Sequence, residues 1–240
     1  MKIGTVILHR KSELSRAQLI AGAFKQWGTP ILIEADFGIK PEHDWRNDGL
    51  RMAKDQGCEL TWIIDADEYL EIPDQVYIVE KMQNSQKDIA MVSLRNYKTK
   101  DTALKPLDHC PIVMVNARRP NQFYVNRCMN LVNAEKYVKI QLHHLGMLKT
   151  EEELQAKLSA YQGTDEYDVF DRMMHSPGLP VAMTAETADF IDLYLGKPEV
   201  KSTKKAPAPV EAPKAEPVAP APVTKEKKNV KRTRSNSRDK

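Results

Sequence analysis

Residues 60–68 read LTWIIDADE, a nearly continuous apolar run that passes directly into a segment with three acids. A run of this kind is typical of a strand that is buried on both faces of a parallel sheet. In an open α/β sheet, ligands bind at the carboxyl ends of such strands, so the acids are expected to lie in a binding crevice. The stretch therefore predicts both the fold class and the position of a site.

The sequence before this run alternates between strand and helix patterns. Strands are predicted at residues 3–8 and 31–33, and helices at residues 15–28 and from Asn47 or Asp48 to Gly57. With the strand at 60–64, the order is β-α-β-α-β. This order predicts an α/β fold with a mostly parallel central sheet and helices on both of its faces.

After Pro73 the pattern is less regular. The predicted elements are a helix around residues 76–79, strands at 90–94, 112–115 and 123–132, a loop at 96–111, and helices from Thr150 and at 184–195. Ser15 with Gln18, and Thr150 with Glu153, have the spacing of capping boxes, in which side chains satisfy the free N–H groups of a helix start.

The composition divides the chain after Gly196. Residues 197–240 contain 13 basic and 5 acidic residues, 7 of the 15 prolines and no aromatic residue. Such a segment cannot bury enough apolar surface to fold alone, so we predict a folded domain at 1–196 and a disordered Ala/Pro/Lys-rich basic tail at 197–240. The concentrated charge makes nucleic acid a candidate partner, and a merely solubilising tail is the alternative.

Membrane and secreted classes do not fit the sequence. No run of about 18 apolar residues is present, so no membrane span is expected. The first residues, MKIGTVILHRKSE, lack the apolar length of a secretory signal, which favours a cytoplasmic protein. The three cysteines lack CxxC spacing and are expected to be reduced thiols.

Asp65 and Asp67 are the first candidates for metal ligands. Residues two apart in an extended chain face the same side, so both carboxylates are expected to point into the crevice. Paired carboxylates suit Mg²⁺ or Mn²⁺, especially an ion that is shared with phosphate oxygens. The alternative is a solvated strand end that begins an acidic turn.

Two segments of the chain resemble family 2 glycosyltransferases. Arg46-Asn47-Asp48-Gly49-Leu50, then Ala53, then WIIDADEYL is similar to the RN-x-GL pattern, strand and D-x-D-type motif of that family. LHHLGM at 142–147 and the helix EEELQAKLSAY resemble the H-x-G segment and lysine-containing helix of some family 2-like transferases. The resemblance covers about residues 1–72 and 140–161 and implies a GT-A-like fold.

The resemblance implies a metal-dependent glycosyltransferase, which moves a sugar from a nucleoside-diphosphate sugar to an acceptor hydroxyl. His144 corresponds to the metal-binding histidine and joins Asp65 and Asp67 as a ligand of Mn²⁺ or Mg²⁺. A neutral imidazole is a suitable third ligand beside two carboxylates. The neighbouring His143 is expected to be a core residue.

Four residues are expected to bind the sugar donor. Asp36 would accept hydrogen bonds from the nucleobase or ribose, and Asp65 would hold the ribose or a metal-bound water. Arg46 would pair with the base or diphosphate, and Lys157 would approach a phosphate. Each has a structural alternative, as a turn residue, a strand end or a solvated basic residue.

The general base for the acceptor hydroxyl is not marked by a motif. Asp108 and Glu135 are weak candidates by position only. A nucleotidyltransferase is an alternative function, although His9-Arg10-Lys11-Ser12 follows the first strand where a Gly-rich phosphate loop would be expected. A non-catalytic nucleotide- or nucleic-acid-binding protein is the third interpretation.

Overall fold

A computed structural model describes residues 1–105, 109–120, 122–125, 128–129, 133–160, 162 and 165–196. The predicted tail at 197–240 and the candidate base Asp108 lie outside these residues. The strands are β1 (Ile3–His9), β2 (Ile31–Glu34), β3 (Leu60–Asp65), β4 (Glu68–Tyr69), β5 (Ile89–Thr99), β6 (Thr102–Ala103), β7 (Ile112–Asn116), β8 (Phe123–Val125), β9 (Cys128–Met129), β10 (Ala134–His144) and β11 (Leu179–Pro180). The α-helices are α1 (Leu14–Phe24), α2 (Glu42–Asp55), α3 (Ile72–Asn84), α4 (Glu151–Ala160), α5 (Asp165–His175) and α6 (Ala185–Tyr194).

Nine strands of the described residues form one mixed sheet, while β8 and β9 form a separate hairpin. β1 lies between β2 and β3 and is parallel to both. β7 is antiparallel to β3 and to β5, and β10 is parallel to β5. Consequently β1, β2, β3, β5 and β10 all run in one direction. The predicted α/β class, with a mostly parallel central sheet and flanking helices, is confirmed.

Helices cover both faces of the sheet. On one face, side chains of α1, α3 and α6 pack in the same core as Trp62 of β3. On the other face, α2 and Phe123 of β8 pack in the core that contains Ile63. Alternate residues of β3 thus enter opposite cores, which explains why this strand is apolar until Asp65 except at the buried Thr61.

Two negative expectations can be compared with the described residues. Cys58 and Cys110 are free thiols, as the cysteine spacing predicts. None of the helices in the described ranges has the length and apolar character that a membrane crossing requires.

Several helix ends follow the predicted signals. Gly28 and Gly57 have φ angles of 119° and 78°, the left-handed conformation that ends a helical segment most easily with glycine. The capping box at α4 is confirmed, because Glu153 N–H donates to Thr150 Oγ1 at 3.2 Å and Thr150 N–H donates to the Glu153 carboxylate at 2.9 Å. The capping box predicted at Ser15 is wrong, since α1 begins at Leu14.

The predicted start of α2 at Asn47 or Asp48 is wrong, because the helix begins at Glu42. Pro41 precedes the first turn, and two acids in that turn favour the positive end of the helix dipole. Glu42 also pairs with Arg46 one turn later, at 2.6 Å.

The second half contains more structure than the sequence predicts. The expected loop at 96–111 is wrong in its first part, because β5 continues to Thr99 and β6 follows at once. The β8–β9 hairpin stands in place of one strand at 123–132. β10 and α5 were not predicted. β10 has a register shift between Tyr137 and Gln141, a bulge that interrupts the alternation by which a strand is recognised.

Gly49 marks a close approach of α2 to β1. A methyl group added at Gly49 would lie 2.3 Å from Cγ1 of Val6, a fully buried side chain. A methyl group added at Gly22 of α1 would meet no atom within 4 Å. The two glycines therefore provide a matched pair of helix positions with and without a packing constraint.

We expect Gly49→Ala to lower the free energy of unfolding by about 1–3 kcal/mol, because it overpacks the contact with Val6. Gly22→Ala should raise the free energy of unfolding by up to about 1 kcal/mol, because alanine favours a helix interior over glycine. Urea unfolding followed by circular dichroism measures both changes. Equal effects of the two substitutions would contradict the close packing of α2 on β1.

Candidate functional site

A cleft of about 150 Å³ opens where β1, β3 and β10 end. Its lining comes from segments that are distant in the sequence: Leu8, His9, Arg10, Glu13, Phe37, Glu42, Arg46, Asp65, Ala66, Asp67, His144 and Lys157. Five residues singled out from the sequence thus meet in one place, namely Arg46, Asp65, Asp67, His144 and Lys157. Their position at the carboxyl ends of parallel strands is the one expected for a ligand site of an α/β sheet.

Arg46 is a buried cation of the cleft, with 1% of its side chain exposed. Its Nη2 donates to Glu42 at 2.6 Å and to Asp65 at 3.0 Å. The other terminal nitrogen, Nη1, is buried and has no hydrogen-bond partner among the described residues. Because buried polar groups are nearly always hydrogen-bonded, a bound molecule is a natural source of the missing acceptor.

Asp65 is held in place by hydrogen bonds with Arg46 and Glu68. Its carboxylate accepts from Arg46, and its backbone N–H donates to Glu68 at 2.9 Å. Glu68 is 3% exposed, so a buried carboxylate holds the backbone at the end of β3.

Asp67 and His144 form a pair across the two halves of the chain. His144 Nε2 lies 3.6 Å from Asp67 Oδ1. The pair is created by the antiparallel contact of β4 with the end of β10, in which His144 is opposite Glu68. Leu145 N–H continues that ladder by donating to the Asp67 carbonyl at 2.7 Å.

Gly146 keeps the space beside this pair open. A methyl group on Gly146 would lie 2.8 Å from Asp67 Oδ2 and 2.9 Å from His144 Nε2. Any larger residue would therefore press on both the Asp67 carboxylate and the His144 ring. This contact gives a physical reason for the glycine of the H-x-G segment at this position.

The two side chains fit a divalent cation. A carboxylate oxygen and an imidazole nitrogen at this separation suit bonds of about 2.0–2.2 Å to one ion, with other ligands from a bound molecule or water. Asp65, in contrast, directs its carboxylate to Arg46. Within the described ranges, no three His, Cys, Asp or Glu side chains are grouped as a metal site. Of the three predicted ligands in the cleft, Asp67 and His144 thus face each other, and Asp65 faces Arg46.

Two lysines also face Asp67. Lys149 Nζ and Lys157 Nζ each lie 4.0 Å from Asp67 Oδ2. Lys149 is 5% exposed and donates to Glu13 Oε1 at 2.6 Å. The sequence does not predict Lys149 and Glu13 as site residues, because no local pattern marks them as partners.

An ion pair attaches α4, which carries Lys157, to α1. Arg16 makes two hydrogen bonds to the Glu153 carboxylate, at 2.7 and 3.1 Å. This pair lowers the pKa of Glu153, and the same hydrogen bond raises the pKa of Arg16. The contact fixes the first turn of α4 one turn before Lys157.

Two described sequence candidates, Asp36 and Glu135, are not among the residues that line the cleft. Asp36 is exposed in a turn, where its Oδ1 accepts from Gly38 N–H at 2.9 Å, and Phe37 lines the cleft instead. Glu135 is the second residue of β10, at the opposite end of the strand from His144, and pairs with Lys87 at 3.4 Å. Asp108 lies outside the described residues.

No protein family matches the chain, and no curated protein matches it. Among solved structures, A197 from STIV is 13% identical over 60% of this chain and 85% of that chain, with a TM-score of 0.39. S. aureus TarS 1–349 is 9% identical over 80% and 72%, with a TM-score of 0.37. Mannose-1-phosphate geranyltransferase from Thermus thermophilus is 12% identical over 83% and 69%, with a TM-score of 0.27. At such low identities and scores, the cleft residues are the evidence on function.

His143 is a core residue, as predicted. It is 4% exposed, and its Nδ1 lies 3.0 Å from the Tyr97 hydroxyl. Its ring packs between Tyr69 and Tyr97, with centroid distances of 5.9 and 5.7 Å. Burial lowers the pKa of His143 to about 4, so the folded protein keeps this imidazole neutral in mild acid.

This burial predicts a pH dependence of stability. Below about pH 6.5 the unfolded chain binds a proton at His143 that the folded chain binds only near pH 4. The free energy of unfolding should therefore fall by about 3 kcal/mol as the pH falls from 6.5 to 4, from this residue alone. Urea unfolding at several pH values in this range measures how steeply the free energy of unfolding changes with pH. This pH dependence should be shallower for His143→Phe than for wild type, whereas His175→Phe, at an exposed position, should keep the wild-type dependence. If the free energy of unfolding of His143→Phe depends on pH as steeply as that of wild type, the lowered pKa of His143 is refuted.

Proposed function

We propose that the protein is a metal-dependent glycosyltransferase, which moves a sugar from a nucleoside-diphosphate sugar to the hydroxyl group of an acceptor. The main support is the pairing of Asp67 with His144 at 3.6 Å, with Lys157 Nζ at 4.0 Å from the same carboxylate. These residues belong to the two segments that resemble family 2 glycosyltransferases. Their chemistry suits a divalent cation and a diphosphate in one cleft.

Asp67 and His144 would hold Mn²⁺ or Mg²⁺. When bound, the ion supplies a Lewis acid that stabilises the negative charge on the departing diphosphate. Lys157 lines the cleft and offers a second positive charge to the same leaving group. The chain's own contribution is to keep these charges in place before the reaction, so that little reorganisation is needed during it.

The nucleoside would lie toward β1 and β2. Arg46 offers the unsatisfied Nη1 to a phosphate or base oxygen, while Asp65, which Arg46 and Glu68 orient, would accept from the ribose hydroxyls. Phe37 presents an aromatic side chain at this end of the cleft, with the Arg10 guanidinium 5.3 Å from its ring centroid. A nucleobase next to Phe37 would stack on a ring, as bases commonly do in proteins. The predicted role of Asp36 stays a prediction.

The acceptor hydroxyl must lose its proton as the new bond forms. Two acids of the cleft, Glu13 and Glu42, are already hydrogen-bonded to Lys149 and Arg46. The position of Glu135 at the far end of β10 argues against a direct role. Asp108 remains a prediction from the sequence.

The metal site can be tested by the hydrolysis of sugar donors. We expect Mn²⁺ or Mg²⁺ to support release of a nucleoside diphosphate from one member of a panel of UDP- and GDP-sugars. Asp67→Asn or EDTA should abolish release, and His144→Ala should lower it about 10–100-fold, because each removes part of the cation site. Liquid chromatography of the nucleotide products gives the rates.

Glu135→Gln is the control, because it removes an acid outside the cleft and should leave the rate unchanged. Full activity in EDTA would refute metal dependence. Release of a sugar 1-phosphate instead of a nucleoside diphosphate would show attack at the nucleoside-bearing phosphate and would identify a nucleotidyltransferase, and the absence of any release would favour a binding protein.

The basic tail is proposed to bind nucleic acid, on the basis of its charge. A chain that ends at Gly196 should fold and should hydrolyse the same sugar donor. The full chain should bind DNA more tightly than the shortened chain, with an affinity that falls as salt rises, since each phosphate contact releases counterions. Fluorescence anisotropy over a salt series measures this. Equal and salt-insensitive binding by both chains would reduce the tail to a solubilising segment.

A further inference from the structure

The two lysines beside Asp67 differ in their other contacts. Lys149 is 5% exposed and donates to Glu13 at 2.6 Å, so a carboxylate other than Asp67 holds it. Within the described part of the chain, Asp67 is the carboxylate that lies within 4.0 Å of Lys157 Nζ. The ammonium of Lys157 otherwise lies 5.2 Å from the centroid of the Phe170 ring. Lys157 therefore depends on Asp67 for its main negative partner.

A divalent cation and Lys157 compete for the same carboxylate group, that of Asp67. A metal at Asp67 would stand within a few ångströms of the ammonium, and two positive charges at that distance repel each other strongly in a partly buried cleft. Either Lys157 moves or the cation binds weakly. A diphosphate in the cleft offers Lys157 an alternative partner with more negative charge than one carboxylate.

Lys157 has the freedom to make this exchange. Its side chain lines the cleft, so the ammonium is within reach of a ligand there. None of the side chains from Glu151 to Ser159 in α4 is fully buried. A lysine ammonium on a four-carbon stem can change partners by rotation of its side chain, without a shift of the helix.

We propose that Lys157 is a counter-cation that passes from Asp67 to the diphosphate of the sugar donor, so that the donor and the divalent cation bind cooperatively. This inference rests on the proposed function and assigns one residue the coupling between its two ligands. Without nucleotide, Lys157 neutralises Asp67 and weakens binding of the cation. With nucleotide, Lys157 pairs with phosphate oxygens and Asp67 becomes available to the cation. Lys149 stays on Glu13 throughout.

The first measurement is binding of Mn²⁺ alone to the full chain, followed by electron paramagnetic resonance of the free ion. Lys157→Met should bind Mn²⁺ about tenfold more tightly than wild type, because a competing charge 4.0 Å from Asp67 is removed. Lys157→Arg keeps the charge and should bind like wild type. Lys54→Met removes the same charge from an exposed position on α2 and should also bind like wild type. Lys157→Gln is a second neutral variant if Lys157→Met does not fold.

The second measurement is the affinity for UDP and GDP by calorimetry, with and without Mn²⁺, corrected for the metal–nucleotide complex in solution. In wild type, Mn²⁺ should raise the affinity for the nucleotide that binds, and the factor should shrink severalfold in Lys157→Met. Coupling between two ligands is reciprocal, so the nucleotide should raise the affinity for Mn²⁺ by the same factor.

Three outcomes separate this inference from the proposed function. Tighter Mn²⁺ binding by Lys157→Met, with loss of coupling, supports it. Unchanged or weaker Mn²⁺ binding by Lys157→Met, while Asp67→Asn abolishes binding, overturns the exchange and leaves the metal site intact. Wild-type Mn²⁺ binding by Asp67→Asn overturns the metal site and the exchange together.

Discussion

The backbone hydrogen bond from Leu145 N–H to the carbonyl of Asp67, 2.7 Å long, is the contact on which the cleft depends. It extends the two-residue pairing of β4 with the end of β10, and it joins the early acidic motif to the late histidine segment. Because the link is made by the main chain, the spacing of Asp67 and His144 is set by the sheet and not by flexible side chains. Functional groups on such rigid elements hold their geometry more accurately than groups on free loops.

The charges of the cleft are paired across segments that are distant in the sequence. Asp65 pairs with Arg46, Glu13 with Lys149, and Asp67 with Lys157 and His144. Partly buried charges persist in a folded protein only when partners of this kind offset their lost hydration. A ligand that carries both a cation and a diphosphate matches the same pattern. The cation is a new partner for the acidic side chains, and the diphosphate is a new partner for the basic side chains. The arrangement favours a charged ligand over an apolar one, independently of the resemblance to known transferases.

The local signals of the sequence predict the first half of the sheet and the acids that follow it. β3 was predicted because a strand with two buried faces must be apolar throughout, and Asp65 is conspicuous at the end of such a run. The predicted start of α2 is five or six residues too late, because the sequence alone does not show that Arg46, which pairs with Glu42, is buried against Asp65. β10 was missed because of its bulge and its exposed face, so the sequence indicated His144 only through a motif. No local sequence pattern indicates Lys149, because its partner Glu13 is distant from it in the sequence.

Lys157, the lysine that faces Asp67, belongs to α4, a helix that is weakly attached to the rest of the domain. No side chain from Glu151 to Ser159 is fully buried, and the start of the helix is attached by the Arg16–Glu153 pair. Exposed ion pairs contribute only about 0–1 kcal/mol, so this contact orients the helix more than it stabilises it. Elements with few buried contacts are the ones that open and shift most easily in a native protein. Asp65 and Asp67 are therefore fixed by the sheet, while Lys157 opposite Asp67 stands on a helix that can adapt to a ligand.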